Sequence, residues 1–96
     1  MAENDYQRKL KAEAERNGWT VIKLVRATVN GYPDLICLHP IRGVLFIEVK
    51  DVGGKLSKLQ EYRISDLRAK GFTVLVADPT NHAQTVQNLF SPDRIT

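Results

Sequence analysis

A mixed α/β fold, with four strands in one sheet and helices on its faces, is what this 96-residue sequence predicts. Three observations predict it. The run from Val44 to Lys50 is strand-like and apolar on both faces, as expected of a central strand covered on two sides. Three other stretches carry apolar or small residues at helical spacing, beside residues that start or stop helices. The order is the third. Three β-rich runs come first, and a helical stretch separates them from a fourth, which suits a meander followed by a crossover.

Each element has its own reason. Glu3 to Asn17 reads as a helix because Tyr6, Leu10 and Ala14 recur every four residues, and Asn17-Gly18 is a stop. Trp19 to Arg26 alternates and is rich in β-formers, with Lys23 breaking the apolar row of Trp19, Val21 and Val25. Ala27 to Pro33 is a loop punctuated by Asn30-Gly31 and Pro33. Leu35-Ile36-Cys37-Leu38 is a short buried strand, and His39 to Gly43 turns it into a hairpin with the strand ending at Lys50. Asp51 to Leu56 is a loop with Gly53-Gly54 at its tip. Ser57 then caps a helix, with Gln60 at the third helical position, the spacing of a capping box. In that helix Leu56, Gln60, Ile64 and Leu67 form one stripe, and Leu59, Arg63 and Leu67 an adjacent one. Gly71 ends it, and Phe72 to Ala77 is the fourth strand. Asp78-Pro79-Thr80 turns the chain into a short helix from His82 to Phe90, with Ala83, Val86 and Phe90 expected inward. The expected order is α-β-β-β-α-β with a C-terminal helix, in one domain over residues 1–96, its core about 3–78 and the last helix about 81–90.

Composition narrows the classes of function. The apolar fraction is 43% and the charged fraction 26%, ordinary for a soluble globular domain. No stretch approaches the ~20 apolar residues that span a bilayer. The polar, acidic start, Met1 to Asp5, is not expected to be a signal peptide, and a cytoplasmic setting is expected. The one cysteine, Cys37, excludes an internal disulfide and any cysteine-based zinc cluster, and reads as a small buried filler. A net charge of +3 permits a polyanion partner without demanding one. So short a chain leaves much surface exposed, so a second subunit covering one face is expected on stability alone.

The chemistry concentrates at Glu48-Val49-Lys50. Side chains alternate along a strand, so Glu48 and Lys50 leave the face that also carries Val44 and Phe46, while Leu45, Ile47 and Val49 leave the other. Two charges at the end of a buried strand are costly unless they are paired, bound to metal or used. Asp34 starts the preceding strand, and in an antiparallel hairpin the start of one strand meets the end of the next. At a strand spacing of roughly 5 Å, Asp34 and Glu48 can share a divalent cation, with the Val49 backbone carbonyl as a further donor. Oxygen donors favour Mg2+ or Mn2+ over zinc. Taken singly these residues have plainer readings: Asp34 as a turn residue, Glu48 and Lys50 as a solvated edge pair. His39 and His82 have no spaced partner and no expected role in the chemistry.

The blocks Glu3, Gly31-Tyr32-Pro33-Asp34-Leu35, Glu48-Val49-Lys50, Gly54-Lys55-Leu56-Ser57 and Gln60 together resemble the VRR-Nuc branch of the PD-(D/E)xK nuclease superfamily. The likeness spans residues 3 to about 77. It implies a nuclease core of the element order read above. It also implies metal binding by Asp34, Glu48 and the Val49 carbonyl, with Lys50 as the catalytic lysine. Gln60 would project into the site, its other reading being the capping box. Glu3 would be the acid of the first helix; Glu13 competes for that place, and the family spacing to Gly18 favours Glu3. Lys55 and Lys58, beside the site, are candidates for clamping a phosphate, and Tyr32 for stacking near the scissile step. Each has a plainer reading, a solvated loop for the lysines and surface packing for the ring.

The resemblance implies a Mg2+- or Mn2+-dependent DNA endonuclease, a homodimer acting on branched DNA such as four-way (Holliday) junctions, and fits a phage or mobile-element origin. The alternative is a DNA-binding module, or a nuclease subunit inactive without a partner.

Overall fold

The computed structural model describes the backbone of residues 3–25 and 28–90, and the side chains of those residues other than Glu3 and Phe90. Along it run α1 (Glu3–Arg16), β1 (Thr20–Lys23), β2 (Leu35–His39), β3 (Gly43–Val49), α2 (Lys58–Ala69), β4 (Thr73–Ala77), a single 3-10 turn (Pro79–Asn81) and α3 (His82–Phe90). The strands lie in the order β1-β2-β3-β4. The first two pairings are antiparallel and the last is parallel, so α2 is the crossover that returns the chain to the same end of the sheet. This is the mixed sheet that the hydropathy pattern predicts, with β3 in its interior.

Alternation along β3 divides the core in two. Leu45, Ile47 and Val49 pack with Tyr6, Leu10 and Ala14 of α1 and Leu89 of α3. Cys37 sits in the same layer, and burial pushes its thiol up to about 12, so it is an inert filler there. The other face meets α2, where Ile64 and Leu67 pack on Val74, with Phe46, Val76, Leu56 and Tyr32 around them. Ile22 lies opposite Ile36, which lies opposite Phe46, so all three share the α2 face. α2 covers only part of this face: Ile22, Leu38 and Phe72 remain 44%, 37% and 38% exposed.

Three local expectations need correction. β1 stops at Lys23, and Val25 is 84% exposed, because the chain turns away from the sheet there. Only the Leu24 N–H still reaches β2, donating to the Asp34 carbonyl at 2.8 Å. Arg26, the predicted far end of that strand, lies outside the described residues. At its other end β2 runs on to His39, whose Nδ1 accepts the Ile41 and Arg42 N–H groups at 3.1 Å each and closes the hairpin. Among the described side chains of α3 the buried ones are Thr85 and Leu89, Val86 is half-buried and Ala83 is exposed, while the side chain of Phe90 lies outside the described residues. The 3-10 turn sets that register: Asp78 caps it by accepting from the Thr80 N–H, and Thr85 donates back to the Asn81 carbonyl at 3.2 Å.

The outer edge of β4 is closed by side chains. Arg68 donates to the Val74 carbonyl at 2.7 Å and Asn81 to the Val76 carbonyl at 3.0 Å, which removes acceptors that a foreign strand would use. Among the described residues no helix is long and apolar enough to cross a membrane.

Candidate active site

The carboxylate of Glu48 is only 2% exposed, on the α2 face near the C-terminal end of β3. A charge so deep needs close polar partners. The Gln60 amide donates to its Oε2 at 3.2 Å, and the Lys50 ammonium lies 3.7 Å from the same oxygen. Lys50 also donates to Gln60 Oε1 at 3.1 Å, closing a three-membered network, and its side chain keeps 16% exposure. The acid is therefore sealed while the ammonium still reaches solvent.

Gln60 does two jobs that the sequence presents as alternatives. Its backbone N–H donates to the Ser57 hydroxyl at 3.1 Å, and its Oε1 accepts the Ser57 N–H at 2.9 Å, which is a complete capping box. The same Oε1 accepts a hydrogen bond from the Lys50 ammonium, and Nε2 is left to donate to Glu48. A carbonyl oxygen has two lone pairs, so one side chain can cap α2 and orient both charged groups.

Asp34 approaches from the β2 edge of β3. With Leu35 opposite Ile47, the register brings Asp34 level with Glu48. Its Oδ2 accepts the Val49 N–H at 2.8 Å, so a carboxylate continues the ladder where β2 has not yet begun. A residue's N–H and C=O leave a strand by the same edge, so the Val49 carbonyl faces the Asp34 side. The loop before Asp34 lies directly on α2. At Gly31, with φ +88°, a Cβ would come 2.7 Å from Leu59 Cγ, so only glycine fits this close approach. The Arg63 Nε donates to the Asn30 carbonyl at 2.9 Å.

Two carboxylates and a backbone carbonyl are hard oxygen donors, the chemistry that suits Mg2+ or Mn2+ with water completing the shell. Among the described residues no three His, Cys, Asp or Glu side chains converge as a cluster. The side chain of Glu3 lies outside the described residues, and its helix backbone is the first residue of α1. The rival acid, Glu13, pairs with Arg16 on the surface of α1.

Lys55 and Lys58 are exposed on the loop and first turn leading into α2. Tyr32 is half-buried against the Ile64–Leu67–Val74 cluster, with the Arg63 guanidinium 5.4 Å from its ring centre. The two histidines have partners away from the site. The His39 ring centre lies 5.1 Å from that of Trp19, and His82 Nδ1 is 2.9 Å from the Tyr6 hydroxyl. Arg63 adjoins the site without matching any of its motifs, and the signal it gives in the sequence is an arginine on an inward stripe between Leu59 and Leu67.

Comparison with known proteins gives a consistent result. A family model described as the VRR-NUC domain matches residues 3–80. A solved structure named "VRR_NUC domain" superposes with a TM-score of 0.79 at 28% identity, covering 93% of this chain and 97% of its own. Another, named "VRR_NUC domain protein", gives 0.74 at 23% identity over 96% and 90%, a likeness of fold alone. No curated protein matches the chain.

Proposed function

The chain belongs to the VRR-NUC domain family, a family of nuclease-type domains, and from that premise we propose that it is a divalent-metal-dependent DNA endonuclease selective for branched DNA. The observation that carries this reading is the buried Glu48 held by Gln60 and Lys50, with Asp34 fixed on the amide of the next residue, Val49. Asp34, Glu48 and the Val49 carbonyl would hold Mg2+ or Mn2+. Such an ion polarises a phosphate oxygen and lowers the pKa of bound water.

The protein's own groups do the rest. Lys50 places a positive charge, with N–H donors, where negative charge develops on the phosphoryl group. Gln60 keeps that ammonium beside Glu48 and out of free rotation, so its orientation is set before substrate arrives. Lys55 and Lys58 supply phosphate contacts on the same side. The burial of Glu48 excludes water from one side of the site, which strengthens each of these interactions.

A homodimer completes the reading. Ile22, Leu38 and Phe72 leave an apolar half-face that a second copy would cover, and two copies would present paired sites to a symmetric four-way junction. The second reading is a DNA-binding subunit that cuts only with a partner.

The test uses purified protein on supercoiled plasmid and on synthetic four-way junctions, with Mn2+, with Mg2+ and with EDTA, alongside its sedimentation mass. Metal-dependent cleavage by a dimer, abolished by EDTA and in Lys50→Ala, is the expected result. Full metal-dependent activity in Lys50→Ala would sink the mechanism. A folded protein that binds DNA and never cuts it establishes the second reading.

A further inference from the structure

We infer that Arg63 is a positioning residue for Asp34, so that one turn of α2 aligns both halves of the site. Gln60 and Arg63 are three residues apart and share a face of the helix. Gln60 holds Glu48 and Lys50, whereas Arg63 holds the loop that ends in Asp34.

Three contacts support this. The Nε–H of Arg63 donates to the Asn30 carbonyl at 2.9 Å. Its stem lies against Gly31, where a Cβ would come 3.1 Å from Arg63 Cγ. Its guanidinium stacks 5.4 Å from the Tyr32 ring centre and 5.3 Å from that of Tyr62. Pro33, the next residue, is fully buried. Three consecutive residues, Asn30 to Tyr32, are thus tied to one side chain, and the chain then enters Asp34 with little freedom left. Among the described residues no carboxylate pairs with Arg63, so the guanidinium is not there for a salt bridge. An uncharged residue of similar length would fill the same space without donating to Asn30 or stacking as a cation. Asp34 needs such support because its own carboxylate is held on the β3 side by one bond, to the Val49 N–H.

The nuclease reading supplies only the purpose of Asp34; the geometry stands without it. The test substitutes Arg63→Met, which keeps the stem and removes the donors, and compares it with Arg68→Met. The latter removes a second α2 guanidinium that also binds a backbone carbonyl, that of Val74. Two readouts are followed: amide hydrogen exchange at Val49, in metal-free protein, and Mn2+ binding by calorimetry. In Arg63→Met the Val49 amide is expected to exchange on the order of tenfold faster, while the Lys50 amide, bonded to Ala77 in the β4 ladder, keeps its rate. Mn2+ affinity falls about 10- to 100-fold, and Arg68→Met leaves it unchanged. Should Arg63→Met fail to fold, Arg63→Lys, which keeps stem and charge and lacks the Nε donor, carries the same comparison. Wild-type exchange at Val49 with wild-type Mn2+ affinity, or equal weakening in Arg68→Met, overturns the inference. If the wild-type protein binds no Mn2+ at all, the nuclease reading fails, and the Val49 amide still decides the role of Arg63.

Discussion

The two faces of β3 are covered differently, one by α1 and α3 and the other in part by α2. On the α1–α3 face, Leu45, Ile47 and Val49 are completely buried among apolar neighbours under two helices. One residue out of phase, on the α2 face, Val44 and Phe46 are half-covered and Glu48 is sealed beside Lys50 and Gln60. On the first face burial raises the Cys37 thiol, and burial with the charge of Asp78 raises the Tyr6 hydroxyl. The second has one helix over half its width. Incomplete cover lets an ammonium reach solvent and leaves Ile22, Leu38 and Phe72 partly exposed. Stability and chemistry are therefore assigned to alternate residues of β3, and each can be disturbed separately.

The largest effect is expected on the sealed face. Ile47→Ala should lower unfolding free energy by about 2–5 kcal/mol in urea titrations, with Mn2+ affinity of the folded protein unchanged. Lys50→Ala should instead slow single-turnover cleavage about 10²–10³-fold while the protein stays folded. If Lys50→Ala unfolds the protein as readily as Ile47→Ala and the folded fraction still cuts, the separation between faces is wrong.

A smaller pair sharpens the comparison within α2. Ser57→Ala and Gln60→Ala each remove part of the capping box and should each cost about 1 kcal/mol. Only Gln60→Ala should also impair cleavage, because Ser57→Ala leaves the Glu48–Gln60–Lys50 network intact. Equal activities in the two variants would show that Gln60 acts as a cap alone.

The smallest effect near neutrality is a pH dependence of the sealed face. Burial lifts Cys37 from 9.0 to about 12, and burial together with the charge of Asp78 lifts Tyr6 from 10.0 to about 12. Both groups are raised on folding, so the unfolded chain releases their protons first. Their contribution is fully present below pH 9.0 and is lost as pH rises towards about 12. Urea midpoints should be flat through neutral pH and fall on the alkaline side, less steeply in Cys37→Ala. An identical alkaline slope in that variant would remove Cys37 from the explanation.

Much of the site's outline was legible in the sequence, and for local reasons. The alternation of Val44 to Lys50 gives which side chains share a face, and the short turn before Gly43 makes Asp34 a neighbour of Glu48. The Ser57–Gln60 spacing identifies the cap. What was less legible depends on distances between elements. Periodicity placed Ala83 inward in α3, whereas the turn at Pro79–Asn81 shifts the register to Thr85 and Leu89. Gln60 looked like either a cap or a site residue because the sequence does not show how near Lys50 lies to the start of α2. Arg63 looked like one more polar residue on a helix, because its partner is a backbone carbonyl 33 positions away.

The sequence by itself determined the element order, the two-faced character of β3 and the presence of two acids and a lysine at one end of a hairpin. These follow from the two-residue and 3.6-residue periods of strand and helix, which neighbours along the chain impose. Only the tertiary structure decided that α2 covers half a face, that Gln60 both caps α2 and bonds Lys50 and Glu48, and that Asp34 accepts from a β3 amide next to a loop bonded to Arg63. Those outcomes depend on where a helix lands on a sheet. Side-chain volumes at contacts such as Gly31 against Leu59 set that position, and no local pattern encodes it.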